Sequence, residues 1–153
     1  MVDIEKRLES YFESATRQSD ILKKALKKLK NKEINLNDEE IVFIIDSLLF
    51  RFAKLQDFLG QKIFRAFLEY QGLSFNSFFD ILKELEKEKI LDIDLWGSLR
   101  EIRNELSHEY PDKEEIKEKI IFIISKSDDL IDVFEKIKDK SYEIKQKRKD
   151  DNS

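Results

Sequence analysis

An arginine, a histidine and a tyrosine fall within eight consecutive residues of a chain that carries no other histidine. They are Arg103, His108 and Tyr110, in the run Arg103-Asn104-Glu105-Leu106-Ser107-His108-Glu109-Tyr110, directly before the one proline, Pro111. An imidazole exchanges protons near neutral pH, while a guanidinium grips a phosphate oxygen with a fork of N–H groups and stabilises charge building at phosphorus. The pair has the chemistry to cleave RNA without a metal. The 2′-hydroxyl would be the internal nucleophile, which confines such a reaction to RNA. Efficient cleavage uses one base and one acid, and a single chain offers one histidine. A two-fold dimer with its motif helices face to face would supply both. The competing reading is structural: Arg103 and His108 are polar residues at a helix end, with His108 capping the last carbonyls. Two residues are a short pattern, so their spacing alone leaves both readings open.

Other chemistries fit less well. With no cysteine and one histidine, a metal would have to rely on carboxylates, and pairs such as Glu101 and Glu105 arise by chance among 33 acidic residues. No Gly-x-Ser-x-Gly turn presents a nucleophile and no glycine-rich loop cradles a phosphate. Neither a metal nor a cofactor is expected. The net charge of −4 argues against a general electrostatic nucleic-acid binder. Lysines do cluster, from Lys23 to Lys32 and from Lys136 to Lys149, either as solvated helix faces or as a rim that tracks phosphates.

The elements that must position the motif are helices. Three glycines, one proline and 41% charged residues leave little for loops in 153 residues, which is one domain's worth of chain. The periodicity predicts a first helix from Asp3 to about Lys30, then a polar connector, Asn31 to Asn37. Asn37-Asp38-Glu39-Glu40 offers a cap and first-turn acids for a second helix, apolar over much of its circumference, that runs to about Gln71 and is stopped by Gly72. Ser74 or Asn76 can cap a third, shorter helix. Asp94 can cap the motif helix, which Pro111 ends; Pro111 also suits the first turn of a fifth helix beginning with Asp112, Glu114 and Glu115. Short connectors imply antiparallel neighbours and an all-α, up-and-down bundle. We expect a single helical domain over residues 1–144 and a frayed, charged tail over 145–153.

On the motif helix, at about 100° per residue, Leu95, Leu99, Ile102 and Leu106 form the core stripe. Arg103 lies at its margin, and Arg100, Asn104, Ser107 and His108 look away from it. Trp96 and Gly97 are expected on that same outward side, where a large aromatic beside a bare backbone would suit a partner or ligand. On the second helix Lys54, Asp57, Gln61 and Arg65 could form one polar stripe, with Arg51 or Asp57 supporting the motif helix. Ile41 to Ala53, the most apolar run, is far short of the roughly 20 residues of a membrane span. No signal peptide is visible, and the lack of cysteine suits a reducing cytoplasm. Tyr110, just before Pro111, is either a boundary aromatic packed on the next helix or an exposed functional group.

The full string, Arg-Asn-x-x-x-His-x-Tyr at the end of the penultimate helix of an all-helical chain, resembles the HEPN superfamily, specifically its HepT-like toxin branch. The resemblance implies a four- to five-helix bundle and a homodimeric, metal-independent endoribonuclease with a composite active site. Arg103 and His108 match the catalytic pair and Asn104 the polar position after the arginine. Tyr110 matches the tyrosine to which a minimal nucleotidyltransferase (MNT) antitoxin transfers AMP. The resemblance implies that antitoxin and RNA as partners. The motif also resembles that of small helical proteins described as substrate-binding partner subunits of two-component nucleotidyltransferases, whose string ends in His-Asp-Tyr where this chain has His108-Glu109-Tyr110. A third class, a purely structural helical interaction protein, fits the composition as well.

Overall fold

The computed structural model describes residues 3–105 and 113–152, and these form an all-α helical bundle without a strand. Its elements are α1 (Ile4–Leu29), α2 (Glu39–Phe58), a π-helical turn (Leu59–Ile63), α3 (Phe64–Tyr70), α4 (Phe78–Lys87), α5 (Ile93–Glu105) and α6 (Lys113–Asp151). None of the described helices is long and apolar enough to cross a membrane.

The second predicted helix is one rod in three parts. Asp38 caps α2 by accepting from the Glu40 and Ile41 amides, and Glu39 and Glu40 complement the helix dipole. Ile41, Ile45, Leu48, Phe52, Leu55, Leu59 and Ile63, spaced three and four apart, are buried along one side. At Leu59 the hydrogen bonding lengthens to i→i+5, with the Phe64 amide donating to the Leu59 carbonyl. The rod ends as the sequence predicts: Gly72 adopts φ 78°, and the Leu73 amide reaches back to the Leu68 carbonyl at 3.0 Å.

Long-range pairs give the topology. Gln18 with Arg51 and Arg7 with Glu69 lay α1 antiparallel to the rod. Lys23 with Glu135, Thr16 with Lys138 and Glu9 with Lys145 lay α6 antiparallel to α1. The expected frayed tail is instead helix through Asp151. Two contacts account for this order: Lys145 bridges Glu5 and Glu9, and Arg148 stacks on the Tyr70 ring at 4.3 Å while donating to the Tyr70 carbonyl at 2.6 Å. Several clustered lysines are thus ion-paired, Lys23 to Glu135 and Lys136 to Asp132 among them.

Caps differ from prediction in two places. Ser77, rather than Ser74 or Asn76, caps α4 by accepting from the Asp80 amide. Asp92, rather than Asp94, caps α5, because its carboxylate lies 2.8 Å from the Asp94 amide and 3.3 Å from that of Leu95. Glu86 adds a bond to the Ile93 amide at 2.9 Å, which ties the start of α5 to α4. Both caps belong to Asx- or Ser-type residues within three positions of those expected, so local chemistry is as predicted and only the register moves.

Candidate functional site

Trp96, Leu99 and Ile102 are the buried residues of α5. Trp96 was expected outward and instead is 2% exposed, which turns the apolar stripe of α5 further round than Leu95, Leu99 and Ile102 imply. Its indole packs against Phe64 with ring centroids 4.7 Å apart. It fits because Gly60, in the π-helical turn, lacks a side chain: a Cβ there would stand 3.1 Å from Trp96 Cζ2. Gly97 is exposed, and a Cβ added there would meet nothing within 4 Å, as at a surface position.

Arg103 follows Ile102 and emerges at the margin of the buried face, as its register requires. There Asp57 of α2 meets it in a two-pronged pair. Arg103 Nε donates to Asp57 Oδ1 at 3.0 Å and Nη2 to Oδ2 at 3.1 Å. Parallel donors matched to a planar carboxylate fix the guanidinium plane as well as its position. The Nη1 edge is not spent on this pair. Each partner is about one-third exposed, at 33% and 32%, so the guanidinium is oriented yet reachable from solvent.

The pair forms one wall of an open groove of about 710 Å³. α2 and the π-helical turn contribute Gln56, Asp57, Gly60 and Gln61 to it. From α5 come Arg100, Arg103 and Asn104, with Trp96 at the floor and Phe78 of α4 at the side. Among the described lining residues, two guanidinium groups and one carboxylate carry a net positive charge, which suits an anionic group. The Trp96 indole, 2% exposed, backs the groove from beneath as part of the core rather than offering an open face. Glu105, the last described residue of α5, is held to α6 by Lys119 at 3.0 Å, which anchors the end of the motif helix.

Of the residues named from sequence, the structure brings Arg100, Arg103, Asn104 and Asp57 to one groove. Ser107, His108 and Tyr110 lie outside the described residues. Of the two candidate supports, Asp57 reaches the motif helix; Arg51 turns to α1, with Nη1 donating to Gln18 at 2.8 Å and its guanidinium 5.0 Å from the Phe50 ring. The polar stripe on the second helix is divided accordingly. Asp57 and Gln61 face the groove, whereas Lys54 lies over Phe50 and Arg65 over Phe75.

Gln56, Gly60 and Phe78 were not anticipated. A glycine in the middle of a long apolar helix, with no other turn residue near it, was the available sign of close approach at Gly60. For Gln56, 5% exposed, and for Phe78, nothing in the pattern distinguished them from ordinary face and core positions. Comparison of the chain with protein-family models, with functionally described proteins and with solved structures gave no match.

Proposed function

We propose that this chain is a HEPN-type toxin, a metal-independent endoribonuclease that works as a homodimer in the cytoplasm and is silenced by a minimal nucleotidyltransferase antitoxin. The observation that carries this reading is the Arg103 guanidinium, held by Asp57 on the wall of a cationic groove beside Arg100 and Asn104. A pre-oriented guanidinium stabilises charge on a pentavalent phosphorus more strongly than a mobile one, because no reorganisation is needed as the charge develops. In the reaction the 2′-oxygen bonds to phosphorus as a histidine takes its proton. The bond from phosphorus to the 5′-oxygen breaks, and a second histidine protonates that oxygen. The products are a 2′,3′-cyclic phosphate and a 5′-hydroxyl. With one histidine per chain, base and acid come from His108 of two copies. Asn104 positions the substrate. Silencing would transfer AMP from ATP to the Tyr110 phenol with release of pyrophosphate.

Purified protein should cleave RNA in EDTA and leave cyclic-phosphate ends, and His108→Ala or Arg103→Ala should each abolish the cleavage. Equal inertness of wild type and His108→Ala across a broad RNA panel would sink the nuclease reading. Mass spectrometry after co-expression with a neighbouring nucleotidyltransferase tests the silencing: an AMP adduct is expected on wild type and not on Tyr110→Phe.

The groove also favours a second reading, a non-catalytic substrate-binding or partner subunit of a two-component nucleotidyltransferase. Its volume lies within the range of small-molecule sites, and Gln61, Arg100, Arg103 and Asn104 give it a few polar groups. Saturable binding of a nucleotide without RNA cleavage, lost in Arg100→Ala, would select this reading over the first.

A further inference from the structure

Most large apolar residues of α2 are buried or half-buried, but Phe43 and Phe50 are 64% and 51% exposed. They stand seven residues apart, and seven more residues lead to Asp57. At about 100° per residue the three share one face of α2 within roughly 40°. Asp46 and Lys54, both exposed, lie on that face too, each four residues from Phe50. The face is therefore symmetric about Phe50 in position and opposite in charge: Asp46 on one side balances Lys54 on the other, and Phe43 on one side answers Asp57.

We infer that this face of α2 is a self-association surface, with a two-fold axis through Phe50 that sets the partner's Phe43 at the mouth of the groove walled by Asp57 and Arg103. A second copy laid antiparallel along α2 stacks Phe50 on its equivalent. The same operation pairs Asp46 with the partner's Lys54, and Lys54 with the partner's Asp46. A two-fold interface is self-complementary by construction, and this line of side chains meets that condition in position, and in charge at Asp46 and Lys54. Lys54, now 5.4 Å from the Phe50 ring centroid, is close enough to leave the ring and meet the partner's carboxylate. Asp57 lies about 10 Å along α2 from the axis, so each groove opens beside the other copy. The inference rests on the dimeric reading of the site and names the surface that makes the dimer.

Light scattering of the full chain at tens of micromolar tests it. Wild type should have the mass of two chains and Phe50→Glu, which sets two carboxylates on the axis, the mass of one. Asp46→Lys and Lys54→Asp should each weaken association about tenfold, because a two-fold axis removes two ion pairs at once, and the double swap should restore it. All three positions are on the surface of the monomer, and unchanged helical circular dichroism would show that the variants fold. A monomeric wild type, a dimeric Phe50→Glu, or a double swap no tighter than either single would overturn the inference. The same samples separate this surface from the activity. A wild-type dimer that Phe50→Glu dissociates supports the surface even if neither protein cuts RNA, which is the outcome that would defeat the nuclease reading alone.

Discussion

Replacing Asp57 by asparagine removes one charge while keeping side-chain size, and it tests whether the Asp57–Arg103 pair orients catalysis or merely braces two helices. Two N–H groups of Arg103 meet the two carboxylate oxygens at 3.0 and 3.1 Å, but both side chains are about one-third exposed. Solvent screening therefore limits the stability share to about 1 kcal/mol, the upper end for an exposed pair with good geometry. For a chain of this length that corresponds to a melting temperature lower by about 2–4 °C. The kinetic effect should be larger. An asparagine accepts one of the two bonds at best, so the guanidinium plane is no longer fixed, and a misplacement of about 1 Å is worth up to about 100-fold in rate. We expect kcat for RNA cleavage in EDTA to fall about 10- to 100-fold in Asp57→Asn. KM should hold or fall, because the groove gains net positive charge. Arg103→Lys, which keeps the charge and loses the fork, should resemble Arg103→Ala in kcat. A variant that melts 2–4 °C lower with kcat unchanged would refute the positioning argument and leave the pair as a strut.

Three further substitutions probe the fold around the site. Gly60→Ala places a Cβ 3.1 Å from Trp96 Cζ2, so despite the better helix propensity of alanine it should destabilise by about 1–2 kcal/mol and shift Trp96 fluorescence, whereas Gly97→Ala, with open space at its Cα, should stabilise by up to about 1 kcal/mol in denaturant titration. Burial pushes the Glu88 carboxyl above its ordinary range, against the pull of the Gln71 amide, so the folded chain holds that proton to higher pH than the unfolded one. Glu88 is therefore a cost when ionised: Glu88→Gln should melt higher than wild type near neutral pH, and the gap should narrow below the raised pKa and vanish below the unfolded value of about 4.3, as read by thermal melts from pH 3 to 8. Arg148→Ala should lower stability by about 1–2 kcal/mol and increase amide exchange over the last turns of α6, since it removes both the stack on Tyr70 and the bond to its carbonyl.

The legible part of the fold was local. A cap within Asn37-Asp38-Glu39-Glu40, Gly72 as a stop and the three- and four-residue spacing of Ile41 through Ile63 follow from hydrogen-bond chemistry and periodicity within a few residues, and the structure agrees with each. Where an outcome depended on a distant partner, the pattern misled. The charged tail looked like fraying helix because Glu5, Glu9 and Tyr70, which hold it, are remote in sequence. Trp96 looked outward because Leu95, Leu99 and Ile102 alone suggest a narrow stripe. Its actual place depends on Gly60, 36 residues earlier.

By itself the sequence determined the helical class, the Gly72 stop, the caps to within three residues and the candidacy of Arg103, because residue type and spacing act over a turn or two. Tertiary structure decided which of Arg51 and Asp57 meets Arg103. Both interrupt the same apolar helix, six residues apart and about 120° away from each other around its axis, so only the packing of α1 on one side and α5 on the other could separate them. It also gathered Arg100, Asn104, Trp96 and Phe78 around one groove. Three-dimensional proximity of that kind is a property of how helices cross, and no single helix encodes it.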